Sequence, residues 1–256
     1  MPEGTTWLTY LLEYVHGTLA HNAGLIGKSF VLHKAPDWKS WEPLITALLV
    51  CVALILISLR VRSKLSRTED AVVPDDRLTL RTFMETFLGY FYDLAKGVMG
   101  PERAKQYFPI IGGSACFVFF ANVVALVPGF PVCTSSLSIT TGSALVVFVL
   151  FNLYGLKENG WDYLKHLAGP IWYMMPLIFV IEVISLCVRP ITLAVRLMLN
   201  MAVDHLIVAI FLGLIGVVIP LPAMILTIVV VVVQTLVFAL LTSIYIGLAT
   251  EPAEQH

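Results

Sequence analysis

An all-α integral membrane protein with five to six membrane helices and one or two amphipathic surface helices is the architecture this sequence predicts. Three observations carry it. The composition is 58% hydrophobic and only 13% charged, with a mean hydropathy of +0.87. The few charges fall in clusters: none lies between Lys105 and Lys157 or between Leu206 and Thr250, and each gap exceeds the roughly 20 apolar residues one crossing needs. Finally, from Ile181 to Leu206 ionisable side chains stand inside an apolar run long enough to cross a bilayer. A net charge of −1 gives no argument for nucleic acid.

The elements follow in order within a single membrane domain. Residues 1–41 read as an outer, interfacial region: Trp7, Tyr10, Leu11, Tyr14 and Leu19 share one side of a short surface helix, and Trp38 and Trp41 sit at headgroup depth. Glu3 and Glu13 occupy the place of a basic leader, so no cleavable signal peptide is expected. The first span, 42–64, ends in Arg60, Arg62, Lys64 and Arg67, which puts the N-terminus outside. Pro74, Asp75 and Asp76 start an amphipathic helix over 74–100, with Leu80, Phe83, Met84, Phe87, Phe91, Leu94 and Val98 opposite Arg77, Arg81 and Glu85.

A helical hairpin occupies 104–156. Its first helix is expected to be interrupted at Pro109 and Gly112–Gly113 and carries Asn122 before a Pro128–Gly129 turn. Ser135, Ser136, Ser138, Thr140, Thr141 and Ser143 open the second helix, where hydroxyls either cap it or line a water path; capping is the commoner role. Lys157, Lys165 and His166 return the chain to the cytoplasmic side. The helix pair 171–249 completes the domain, divided by Pro220 and Pro222. Its first member, 171–218, would be roughly 70 Å long as one helix, so it is either two segments or one kinked, steeply tilted helix. Cys51, Cys116, Cys133 and Cys187 have neither metal-ligand spacing nor a disulfide framework, and His16, His21 and His33 read as surface histidines.

At about 100° per residue, Glu182, Ser185, Arg189, Thr192, Arg196 and Asn200 project within one narrow sector, with Asp204 at its edge and His205 opposite. A charge at the membrane centre costs at least about 2.5–3.5 kcal/mol on insertion scales, so such residues line water or meet a partner. Arginine keeps its proton; Arg196 is therefore a fixed positive charge or an anion ligand. Glu182 and Arg189 can pair with each other, and Asn200 and Gln234, the polar residue of the final span, can serve as interhelical hydrogen-bond groups. For Arg196 the last span offers no acid, and the missing counter-charge is expected from another chain.

These residues resemble a known family. RPITLAVRLMLNMAVDHL (189–206) is similar to the signature of subunit a of the rotary, F-type ATP synthase membrane sector, NVVALVP (122–128) resembles its third helix and turn, and VQTLVFALLTSIY (233–245) its final helix. The resemblance covers roughly Arg77 to Tyr245. It implies that Arg196 is the essential arginine, with half-channel positions at Glu182, Ser185, Asn200, His205 and Gln234, the glutamine facing the arginine. It implies a proton-translocating stator subunit, not itself catalytic and with no cofactor. Its partners would be a ring of proteolipid c subunits, wrapped by the two long, tilted C-terminal helices, peripheral-stalk b subunits and the catalytic headpiece. The location would be a bacterial plasma membrane or, as an alternative, the mitochondrial inner membrane. Three positions depart from the family pattern: Asp204 replaces a small residue, Thr227 a titratable one, and Ala125 an acid. Asp204 is expected to take over the missing acid or base role. The competing function is an ion channel or secondary transporter with an anion site at Arg196, which would usually carry repeated halves.

Overall fold

The structure, a computed structural model, describes residues 42–65, 79–126, 133–168, 175–215 and 220–250. Six α-helices and one short 3-10 turn, Cys133–Ser135, make up these residues: α1 Glu42–Leu65, α2 Leu80–Met99, α3 Pro101–Ala125, α4 Leu137–Ala168, α5 Met175–Ile215 and α6 Pro220–Ala249. Five of the six (α1, α3, α4, α5, α6) contain segments long and apolar enough to cross a membrane. The chain is thus an all-α, multi-pass membrane protein. The surface helix expected over 5–20, the interfacial tryptophans, the helix start at Pro74–Asp76 and the Pro128–Gly129 turn lie outside the described residues.

α1 is lightly held. Ala47 and Val50 pack with Ala121 of α3 and with Cys133, while Leu48, Ile55, Leu56 and Leu59 are exposed, as side chains facing lipid must be. α2 begins after Thr79, whose hydroxyl accepts from the Thr82 N–H at 3.4 Å, and it buries Met84, Phe91, Ala95 and Met99 against the bundle. It ends on Gly100, whose φ of 82° only glycine adopts without strain. The Gly100 N–H donates to the Lys96 carbonyl at 3.0 Å, and its own carbonyl accepts from Ala104 N–H at 3.0 Å. With Pro101 in the first turn of α3, one Gly-Pro pair closes one helix and opens the next.

α3 runs through Pro109 and Gly112–Gly113 without a break, contrary to the interruption its sequence suggests; membrane helices tolerate such residues because neighbouring groups satisfy the freed backbone. Gly112 has a packing role. A Cβ there would stand 3.2 Å from the Phe108 ring and 3.3 Å from Leu88 of α2, so an added side chain would press on both side-chain tips. α4 extends past the expected end near residue 156, changing direction at Gly160, where φ is 51° and ψ −130°. Two of the hydroxyls expected to cap it turn back into the helix instead: Thr140 Oγ1 donates to the Ser136 carbonyl at 3.1 Å and Ser143 Oγ to the Thr140 carbonyl at 2.9 Å.

α5 is one helix of 41 residues with Pro190 inside it, which selects the single long helix over two segments. At 1.5 Å per residue it is about 60 Å long, twice the hydrocarbon thickness of about 30 Å, and must lie steeply tilted. α6 is central, touching α2, α3, α4 and α5, while α4 lies along α5. The core they share is rich in alanine: Ala95, Ala104, Ala115, Ala144, Ala194 and Ala239 are buried beside Tyr107, Phe151, Leu197 and Phe238. Small residues let helix backbones approach where lipid supplies no hydrophobic drive.

Candidate functional site

The polar stripe of α5 lies along a seam. Leu186, Leu193, Leu197 and Met201 are buried on one side of it, and Ile181, Val188, Leu199 and Leu206 are exposed on the other. The stripe therefore sits where the packed side of the helix turns into its open apolar side. α6 has the same division: Thr227, Val231, Gln234, Thr235 and Phe238 are buried, whereas Ile225, Ile228, Val229, Val232 and Val233 are exposed.

Arg196 is exposed on this seam and makes no hydrogen bond or ion pair among the described residues. Arg189, two turns before it, differs. Its Nη2 lies 4.0 Å from Glu182 Oε1, and its guanidinium stands 5.4 Å from the centroid of the Tyr245 ring of α6. The Glu182–Arg189 pairing open in the sequence is thus made, at the long limit of an ion pair and half-exposed, which limits it to about 1 kcal/mol or less. Ser185 is partly exposed between them. Thr192 turns its hydroxyl back to the Arg189 carbonyl at 2.9 Å.

One turn beyond Arg196, Asn200 Nδ2 donates to Gln234 Oε1 at 2.7 Å, joining α5 to α6. Gln234 is 2% exposed. The resemblance puts Gln234 facing Arg196; here it is fastened to Asn200, and its Nε2 is buried without a partner among the described residues. Asp204 follows after another turn, half-buried, with Oδ2 likewise unpartnered. His205 is on α5, but its side chain lies outside the described residues. Buried polar groups are almost always satisfied by protein or ordered water; Gln234 Nε2 and Asp204 Oδ2 are open among the described residues.

A further polar pair joins α3 to the 3-10 turn. Asn122 of α3 is fully buried, accepts from the Thr134 hydroxyl at 2.8 Å, and has an unpartnered Nδ2. Thr227, two turns before Gln234 on the same side of α6, is also buried.

Sequence reasoning missed Tyr245 and Thr134. Tyr245 had a signal: eleven residues after Gln234, it returns to the same side of α6. Thr134 had none, since its partner lies across a turn. At the cytoplasmic end, also unforeseen, Glu158 of α4 accepts from Tyr107 Oη at 2.8 Å and from Gln106 Nε2 at 3.0 Å, and Asn159 Nδ2 donates to the Ala249 carbonyl at 3.3 Å. These bonds tie the inner ends of α3, α4 and α6 together.

Fold and site together define a multi-pass helical membrane protein in which an exposed arginine lies on a polar seam between packed and open helix faces. The family model described as ATP synthase A chain matches residues 44–247. ATP synthase subunit a of Sorangium cellulosum is 59% identical over 256 residues, all of both chains. ATP synthase subunit a 1 of Syntrophotalea carbinolica is 37% identical over 248 residues, 96% of this chain and 97% of its own. ATP synthase subunit a of Geobacter sulfurreducens is 37% identical over 205 residues, 80% of this chain and 86% of its own. The chain belongs to the ATP synthase subunit a family.

Proposed function

We propose that this chain is the non-catalytic stator subunit that passes protons to and from a rotating ring of proteolipid c subunits. It works in a bacterial plasma membrane, with peripheral-stalk b subunits tying it to the catalytic headpiece, so that ion flow drives rotation and ATP synthesis. The observation that carries this reading is the state of Arg196: a permanent charge, exposed on the open side of α5, with no partner of its own among the described residues.

A carboxylate arriving opposite Arg196 meets that charge directly. At about 4 Å and an effective dielectric near 20, the attraction is about 4 kcal/mol, which lowers the carboxylate's pKa by roughly three units. A proton bound to it is released, and the guanidinium repels the proton from crossing. Two polar routes meet at this barrier. Toward the cytoplasm run Arg189, Ser185 and Glu182; toward the outside run Asn200 with Gln234, then Asp204 and His205. The Asn122–Thr134 pair stands at the outer end of the bundle. Because the arginine separates the routes, protons move between them only by riding on the ring.

Disulfide crosslinking in the membrane-embedded complex tests the placement. A cysteine at Asn200 or Ile207, both on the seam near Arg196, is expected to crosslink under oxidation to a cysteine on the outer helix of a proteolipid. Labelling of both positions by lipid-soluble probes alone, with no crosslink, would show that the ring lies against another face.

A further inference from the structure

Two arginines share the stripe of α5. Arg189 and Arg196 are seven residues apart, so their directions around the helix differ by only about 20° and their heights by about 10 Å. Both keep their protons, and each could ionise and hold a carboxylate that passes the open face. A chain that works through one fixed charge therefore has to keep the other away from that face.

The surroundings of Arg189 do this. Its guanidinium stands 5.4 Å from the centroid of the Tyr245 ring, inside the roughly 6 Å over which an aromatic face attracts a cation. Tyr245 is half-buried, and its ring centroid lies 6.0 Å from that of Phe151 of α4, which is 1% exposed. It thus stands on the packed side of α6, against the shared core. The other hold on Arg189 is Glu182, but that pair is 4.0 Å long and its carboxylate is 41% exposed, and such pairs hold weakly. Arg189 is drawn toward α6 and the bundle, whereas Arg196, with no aromatic ring beside it among the described residues, stays exposed.

We propose that Tyr245 is a positioning residue for ion translocation: its aromatic face holds the Arg189 guanidinium on the α6 side of the seam, so that Arg196 is the one cation a proteolipid carboxylate meets. This inference rests on the stator reading above. Without the aromatic face, Arg189 swings onto the open side of α5, and a carboxylate ionises against it two turns away from the barrier. A proteolipid caught in that second ion pair stalls rotation. Stalling slows proton pumping and ATP hydrolysis in step, because neither proceeds without rotation; a loosened α5–α6 contact that leaks protons would lower pumping alone.

The test measures ATP-driven proton pumping and ATP hydrolysis by the purified, assembled complex in vesicles. Tyr245→Leu is expected to slow both about fivefold, the scale of one cation–π contact, and Tyr245→Phe, which keeps the aromatic face, should match wild type. The decisive comparison is the double variant. Arg189→Gln sets its own rate, and adding Tyr245→Leu should lower it no further, since no charge remains to hold. A further drop of similar size in the double variant would show a packing role and overturn the proposal. So would wild-type rates in Tyr245→Leu, a Tyr245→Phe complex as slow as Tyr245→Leu, or a loss of pumping with hydrolysis unchanged. Should Tyr245→Leu fail to assemble, ring-fluorinated phenylalanine at position 245 takes its place, keeping the shape while withdrawing electron density from the aromatic face. Slower pumping than with phenylalanine supports the proposal, and equal rates overturn it. An Arg196→Ala complex measured alongside separates this inference from the reading beneath it. If that complex pumps, the stator reading fails; if it does not, while Tyr245→Leu pumps normally, only the role of Tyr245 fails.

Discussion

Arg189 and Arg196 stand two turns apart on one stripe of α5 and have opposite surroundings. Arg189 has Glu182 on its own helix and the Tyr245 ring across the interface; Arg196 has neither, because α6 presents no acid and its exposed side is aliphatic. The stripe itself was legible in the sequence, since helical periodicity alone aligns it. The contacts were not: Arg189–Tyr245, Asn200–Gln234 and Asn122–Thr134 join residues on different elements, and only packing decides them. Two predictions belong at this scale. With Thr227 unable to titrate, Asp204 and His205 are the ionisable groups on α5 in the proposed outer route, and histidine's unperturbed pKa of about 6.5 suits a relay. Asp204→Asn and His205→Ala should each slow proton conductance of vesicles stripped of the headpiece, and the double change should slow it far more than either. A double mutant that conducts like wild type would move the outer route elsewhere, with the hydroxyls at 138–143 next in line. Thr134→Val should remove the donor to Asn122 Oδ1 while keeping the shape, leaving the Asn122 amide with neither end paired. That change should cost about 1–3 kcal/mol, read as a lower denaturation midpoint of the complex, and no shift would mean that the amide is satisfied by another route.

Elements are held by two different devices. α6 and the residue that follows it bury Thr235, Thr242, Ser243 and Thr250, yet each hydroxyl donates to the carbonyl four residues back, at 2.8, 2.9, 2.8 and 2.7 Å. These residues therefore act as small packing groups whose polarity is satisfied within the helix. The α2–α3 contact instead passes close to Gly112, where an added side chain would press on Phe108 and on Leu88 of α2. Thr242→Val should thus be tolerated within about 1 kcal/mol, because the carbonyl it leaves keeps its helical N–H, whereas Gly112→Val should part α2 from α3 at about 1–3 kcal/mol. Comparing hydrogen exchange in α2 for the two variants distinguishes them: protection should fall only in Gly112→Val. Helix positions were readable from charge clusters and apolar runs, and the observed spans fall close to those expected. The Pro109–Gly113 interruption was misread because rules drawn from water-exposed helices overstate what proline and glycine cost inside a bundle. The length of α5 past Pro190 could not be fixed from sequence for the same reason.

For the whole molecule, the division between packed and open faces is what gives the seam its meaning. α2, α3, α4, α5 and α6 share an alanine-rich core, and the open faces of α5 and α6 are broad and apolar except along the stripe, where Thr192, Arg196 and Asn200 are exposed. A buried arginine would have needed an acid within the chain. An arginine at the edge of an open face leaves its counter-charge to a partner, and the family places such a subunit in a complex. The central claim is that this charge, and no other group in the chain, separates the two proton routes and strips the ring carboxylate. Arg196→Ala tests it most directly, measured as ATP-driven proton pumping into vesicles by the purified, fully assembled complex. The account predicts a complex of normal subunit composition that pumps no protons. Normal coupled pumping by an assembled Arg196→Ala complex would contradict it.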